Sequence, residues 1–145
     1  MPGGNITYEN IGPNTFVVTL TVFEDCGTAF MGNTAQTVMV SNSCGLSSPN
    51  INLPNVVFQD EVSQLCLQMI GQSECNGGGF PGVYMHVWRD TITLPGGCDS
   101  WVFAWDGCCR NNSVNSPGAS NNYYWETVLN SVTAPSNSSP VITSQ

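Results

Sequence analysis

The stretch from Thr15 to Glu24, TFVVTLTVFE, sets Phe16, Val18, Leu20 and Val22 on one side of an extended backbone and Val17, Thr19, Thr21 and Phe23 on the other. A period of two built from β-branched and aromatic residues specifies a strand, because successive side chains of an extended chain point to opposite faces. Ile6 and Tyr8 alternate in the same way within NITYEN, and the intervening N-I-G-P-N carries the Gly, Pro and Asn that reverse a chain, so an opening hairpin is expected. QTVMVSN (Gln36 to Asn42), PNVVFQ (Pro54 to Gln59), VYMHVWRDTITL (Val83 to Leu94), SWVFAWD (Ser100 to Asp106) and NYYWETVLNSVT (Asn122 to Thr133) read as further strands. The segments between them, SCGLSSPN, CNGGGFPG, PGGC and NNSVNSPGASN, are built of turn formers. Only Phe58 to Ile70, around DEVSQLCLQM, leaves room for a helical turn or two. The pattern predicts an all-β fold: an antiparallel β-sandwich, Ig-like or Greek-key, of about seven or eight strands.

At 145 residues and 15.5 kDa the chain matches one domain. Residues 1–133 are assigned to the sandwich and 134–145 to a C-terminal tail, APSNSSPVITSQ, in which a polar spacer precedes Val141 and Ile142. Polar ends stay mobile unless something holds them, and pairing with a sheet edge, the chain's own or a neighbour's, would do so. Two segments are therefore candidate assembly strands: Asn5 to Glu9, with Ile6 and Tyr8, and Pro140 to Thr143, with Val141 and Ile142.

Charge narrows the partners. Ten acidic residues stand against Arg89 and Arg110, with no lysine, for a net charge of −8. Nucleic-acid binding depends on cations that neutralise phosphates, so that class is excluded, and the same shortage argues against docking on anionic lipid. No apolar run approaches the ~18 residues of a membrane span, so no direct membrane insertion is expected. MPGGNITYEN has neither the basic start nor the apolar stretch of a signal peptide, and reads as the start of a mature or trimmed chain.

Cys26, Cys44, Cys66, Cys75, Cys98, Cys108 and Cys109 are scattered among Gly, Asn, Ser and Thr, not paired in C-x-x-C knuckles. Zinc ribbons need close ligand pairs, and the lone His86 cannot complete a second pair, so no metal site is assigned to them. A disulfide framework in an oxidising compartment is expected instead, which implies a secreted, extracellular or cell-surface protein. The count is odd, so one thiol is left over among about a hundred possible connectivities. Cys66 and Cys75 are the easiest local pair, and the vicinal Cys108 and Cys109 are expected to bond different partners.

The catalytic inventory is thin. His86 lies mid-strand in YMHVW with no nucleophile elbow and reads as a half-exposed strand histidine. Glu24 with Asp25, Asp60 with Glu61, and the set Asp90, Asp99 and Asp106 are the available carboxylates. Glycosidic hydrolysis would need two of them at a defined separation, which spacing does not show. Calcium is the one ion weighed, though no D-x-D-x-D-G loop is present. No catalytic residue and no cofactor are assigned. Among the aromatics, Trp101, Phe103 and Trp105 share one strand face and are expected in the core. Trp88, Tyr124 and Trp125 are the candidate platform on which a glycan ring could stack. Sequons begin at Asn5, Asn111 and Asn137 and matter only in a host that glycosylates them.

The ordered set GGNITYENIG, FVVTLTVFEDC, SCG, SQLC, the turn after Cys75, GCDSWVFAWDGCCRN, SPGASNNYYWETVLN and NSSPVIT resembles the cysteine-rich domain near the N-terminus of large secreted surface proteins of Bacteroidetes, the gliding-motility-associated or type IX-secreted kind. The likeness spans most of the chain, and CCRN and ITYE carry its most specific part. That family typically reads ITYEC where this chain has Asn10, a departure that would account for the odd cysteine. The resemblance implies an extracellular, non-catalytic role in surface architecture or adhesion. Together these readings predict a structural building block of a cell surface or filament, self-associating into a homopolymer through a terminal strand or contacting neighbouring surface proteins. The alternative is a carbohydrate-binding or adhesin module.

Overall fold

The computed structural model describes residues 3–27, 31–108 and 122–140. These carry strands β1 (Gly3–Gly12), β2 (Thr15–Asp25), β3 (Gln36–Asn42), β4 (Ile51–Leu53), β5 (Asn55–Glu61), β6 (Val83–Thr93), β7 (Trp101–Gly107) and β8 (Tyr123–Leu129). They form two four-stranded sheets in the orders β1-β2-β6-β5 and β4-β3-β7-β8, and every pairing is antiparallel. Successive strands pair two by two and each pair then crosses to the other sheet, so the central neighbours, β2 with β6 and β3 with β7, are far apart in sequence.

The opening hairpin turns at Pro13 and Asn14, with Asn14 at φ 51°. A proline pre-sets the first turn position, and asparagine tolerates the left-handed second one. From there β2 runs beside β6 in unbroken register, Thr15 opposite Thr93 through Asp25 opposite Val83. Its Phe16, Val18, Leu20 and Val22 all point inward and are fully buried, as the alternation requires. The second sheet answers with Val38, Val40, Leu53, Trp101, Phe103, Trp105 and Leu129. Each buried indole N–H has an acceptor: Trp88 donates to the Thr34 carbonyl, Trp101 to the Gly96 carbonyl and Trp105 to Gln36 Oε1. Large rings can therefore fill the core without leaving a polar atom unpaired.

Three local expectations need correction. The helical turns expected in Phe58–Ile70 are displaced: β5 continues to Glu61, bulged at Gln59 with φ 54°, and two short 3-10 turns follow at Ile70–Gln72 and Glu74–Asn76. Strand β4 was not anticipated, because Ile51 and Leu53 give only one repeat of the period. His86 is not half-exposed. It is fully buried, its Nε2 2.7 Å from Glu24 Oε2, because β2 and β6 turn both side chains toward the core.

The sulfur framework also departs from the local pairing. Cys26 is bonded to Cys75 and Cys44 to Cys98, Cys108 is disulfide-bonded, and Cys66 is free and exposed. Cys109 lies outside the described residues, and with it the expected divergence of the vicinal pair. Cys75 prefers Cys26 to Cys66 because the β2–β6 ladder ends in a Cys26 N–H bond to the Gly82 carbonyl at 3.0 Å, which presents Cys26 to the returning loop. A side chain at Gly82 would begin 2.5 Å from Cys75 Sγ, so only glycine lets the backbone pass the bridge. Disulfides in a domain this small fit an extracellular protein. No helix among the described residues is long and apolar enough to cross a membrane.

Residues 62–82 form a loop without strands, held to the sandwich by Glu61. Its carboxylate accepts hydrogen bonds from Ser73 Oγ at 2.5 Å, Ser63 Oγ at 2.9 Å and Asn76 Nδ2 at 2.7 Å. The Ser73 bond, the largest influence, holds the Glu61 pKa below its ordinary 4.5, and the Ser63 and Asn76 bonds act in the same direction. A depressed folded pKa means that the loop's anchorage is complete above the ordinary carboxylate value and is lost as pH falls through the lower folded one. Limited proteolysis is expected to cut within 62–82 faster as pH drops below that point, and Glu61→Gln to cut fast at neutral pH. Equal cutting of the two proteins at neutral pH would show that Glu61 does not hold the loop.

Candidate functional site: the edge of the first sheet

Strand β1 pairs on one side only, with β2, and lies over β8 of the other sheet. Edge strands leave alternate N–H and C=O groups without partners, which is a template for another strand. Here the template is half covered by the chain's own tail. Tyr8 N–H donates to Ser139 Oγ at 2.9 Å, Tyr8 C=O accepts from Ser139 N–H at 2.8 Å, and Asn10 N–H donates to Ser138 Oγ at 3.0 Å. Asn10 Nδ2 also donates to the Pro135 carbonyl at 3.2 Å. Asn10 thus helps to hold the tail.

Since Tyr8 aims its backbone groups off the sheet, the alternation aims those of Ile6 and Gly4 the same way. Among the described residues no hydrogen bond caps them. Alongside lies a groove of about 400 Å³, lined by Asn5, Ile6, Thr7, Thr127, Ser139 and Pro140. Its floor is fixed from both sheets. The Tyr8 ring is buried against Phe16 and Phe103, and its hydroxyl donates to the Val128 carbonyl at 3.2 Å and accepts from Asn137 Nδ2 at 3.3 Å. Burial pushes the Tyr8 phenol above its usual pKa, outweighing the Asn137 bond, so it stays a neutral donor to β8. Trp125 stacks on Trp105 with centroids 5.0 Å apart and reaches beneath Gly4, where any Cβ would run into the indole ring.

The candidate site residues divide accordingly. Ile6 and Tyr8 are buried in β1, where Asn5–Glu9 is already paired with β2 as the edge strand of the first sheet. Val141 and Ile142 lie outside the described residues. The aromatic platform does not assemble: Trp88 is fully buried, Trp125 is half-buried under β1, and only Tyr124, 58% exposed and bonded to Glu126, faces outward. Trp88 was placed outside because β6 reads as a two-faced strand, whereas the second sheet covers the face that carries it. Sequence reasoning missed Asn10, Thr127, Ser138 and Ser139. The bonds that bring Asn10, Ser138 and Ser139 to this edge span more than a hundred residues of sequence, and no local pattern marks them.

Among the described residues one grouping of metal-ligand side chains occurs, Cys44, Cys98 and Asp99, and its two sulfurs are spent on their disulfide. The carboxylates weighed for calcium or hydrolysis are dispersed: Glu24 is buried against His86, Glu61 anchors the loop, and Asp99 accepts from Ser43. No family model matches the chain, and no curated protein or solved structure matches it either.

Proposed function

We propose that this is a non-catalytic extracellular structural domain, a building block of a cell surface or filament that associates with further copies of itself through the edge of β1. The single observation behind the reading is the half-covered edge: Ser138 and Ser139 cap Asn10 and Tyr8, while Ile6, next along the same edge, lines an open groove. An added strand gains main-chain hydrogen bonds along its length and side-chain specificity from alternate pockets. A head-to-tail contact of this kind extends into a fibre when its rotation does not close. Supporting it are the disulfide staples, the shortage of lysine and arginine, and the dispersal of the acids and of His86 away from any shared cleft.

Sedimentation velocity on the purified chain over a hundredfold range of concentration, with electron microscopy of the most concentrated sample, tests this. Species larger than one chain should grow with concentration. A single monomeric boundary throughout, with no particles longer than one domain, would overturn the proposal.

A further inference from the structure

The Cys44–Cys98 bridge is accessible from one side. Cys44 is exposed whereas Cys98 is wholly buried, so an external thiolate reaches the bridge at the Cys44 sulfur. A carboxylate stands against both sulfurs: Asp99 Oδ1 is 3.7 Å from Cys44 Sγ and 3.6 Å from Cys98 Sγ. We propose that Asp99 guards this bridge, its negative charge slowing thiol–disulfide exchange at Cys44 and so protecting the pairing from the free thiol that every copy of the chain carries at Cys66.

The charge and the sulfurs are all held in place. Ser43 Oγ donates to Asp99 Oδ1 at 3.2 Å and lies 3.8 Å from Cys98 Sγ, which ties the carboxylate to the bridge. Asn42 Oδ1 accepts the N–H groups of Cys44 and Leu46, each at 3.0 Å, and fixes the turn that carries Cys44. Ser131 Oγ accepts the Cys98 N–H and donates to the Cys98 carbonyl, fixing the other end. Exchange begins when a thiolate attacks Cys44 Sγ: a new S–S bond forms to Cys44, the Cys44–Cys98 bond breaks, and its electron pair departs on Cys98 Sγ. A second thiol then attacks the mixed disulfide and releases Cys44. In sum two external thiols are oxidised to one disulfide and the cystine is reduced to two cysteines. Asp99 opposes the first step in two ways. It repels the incoming anion, and it stands beside the sulfur on which negative charge gathers, a sulfur with no solvent to disperse that charge. Asp99 is itself exposed, so the repulsion of the attacker is open to screening by salt.

Initial rates of reduction of the folded full-length chain test it, in a Cys66→Ser background that removes the competing thiol, with each bridge followed separately by alkylation and peptide mass spectrometry. Asp99→Asn should speed the loss of Cys44–Cys98 several-fold at low salt when the reductant is mercaptopropionate, which brings a carboxylate of its own. Cysteamine, whose ammonium group offsets the charge of its thiolate, should gain much less from the same substitution. In ~1 M salt, where a charge is felt over only ~3 Å, the contrast between the two reagents should shrink. Cys26–Cys75, at the opposite end of β6, should be reduced at an unchanged rate. Equal rates for the parent and Asp99→Asn with mercaptopropionate would overturn the proposal. An acceleration of the same size with both reagents, or at both bridges, would overturn it as well, since a loosened fold and not a lost charge produces that result.

Discussion

Replacing Cys44 and Cys98 together by alanine should lower the stability of the domain by about 4 kcal/mol, the loop-closure entropy expected for a bridge spanning 54 residues. For a chain of this size that corresponds to a fall in Tm on the order of 10 °C. The bridge ties the β3–β4 connection to the β6–β7 connection, and Cys98 is itself fully buried. Around it, Ser131 Oγ accepts from Cys98 N–H at 3.0 Å, and the Ser131 N–H donates to the Cys98 carbonyl at 2.9 Å, which seats the segment after β8 on the same corner. Losing the covalent tie therefore releases three connections at once. Reductant acting on the native protein should give a larger drop, since Cys26–Cys75 closes a loop of 49 residues and opens as well. Thermal melts by circular dichroism with and without reductant measure both effects. Equal melting temperatures would refute the role assigned to the bridges.

Breaking the Glu24–His86 pair from one side should cost a similar amount. Both side chains are almost wholly excluded from water. Glu24 Oε1 also accepts the Met31 N–H at 3.0 Å, and the imidazole is stacked on Trp88 with Phe58 at its edge. His86 Nδ1 has no hydrogen-bond partner among the described residues, so Glu24 is its one polar contact. Glu24→Leu then leaves a buried polar ring uncompensated, for about 3–5 kcal/mol, and His86→Leu strands the carboxylate for a comparable loss. The double variant should recover most of it, because an apolar pair of similar volume needs no compensation. Urea denaturation of the four proteins closes the cycle. Single variants within ~1 kcal/mol of the parent, against the range expected for a buried pair, would show that the contact carries no weight.

This pair also shows where sequence reading stops. Glu24 ends an alternating run of Phe16, Val18, Leu20 and Val22, and on period alone it belongs to the inward face. Its charge argues the other way, and only the pairing of Val22 with His86 across β2 and β6 resolves the conflict, by supplying a buried partner. The aromatics divide on the same principle. Trp101, Phe103 and Trp105 share a face and were legible as core, whereas Trp88 and Trp125 depended on what lay across from them. In the edge site, Ile6 and Tyr8 were readable as strand residues. Their place on an edge partly capped by the tail was not, since it rests on Ser138 and Ser139 arriving from the far end of the chain.

The chain's own pattern determined its class: two-residue alternation, frequent Gly, Pro and Asn punctuation and scattered cysteines admit little besides a disulfide-bonded antiparallel sandwich. Those are local properties, carried by which way neighbouring side chains point and where the backbone can reverse. Tertiary structure decided which cysteines meet, which strand stays an edge, and which polar side chains are buried together. Each of these depends on residues brought together across long loops, and the free energy that selects among such contacts comes from the packed whole and not from any single segment.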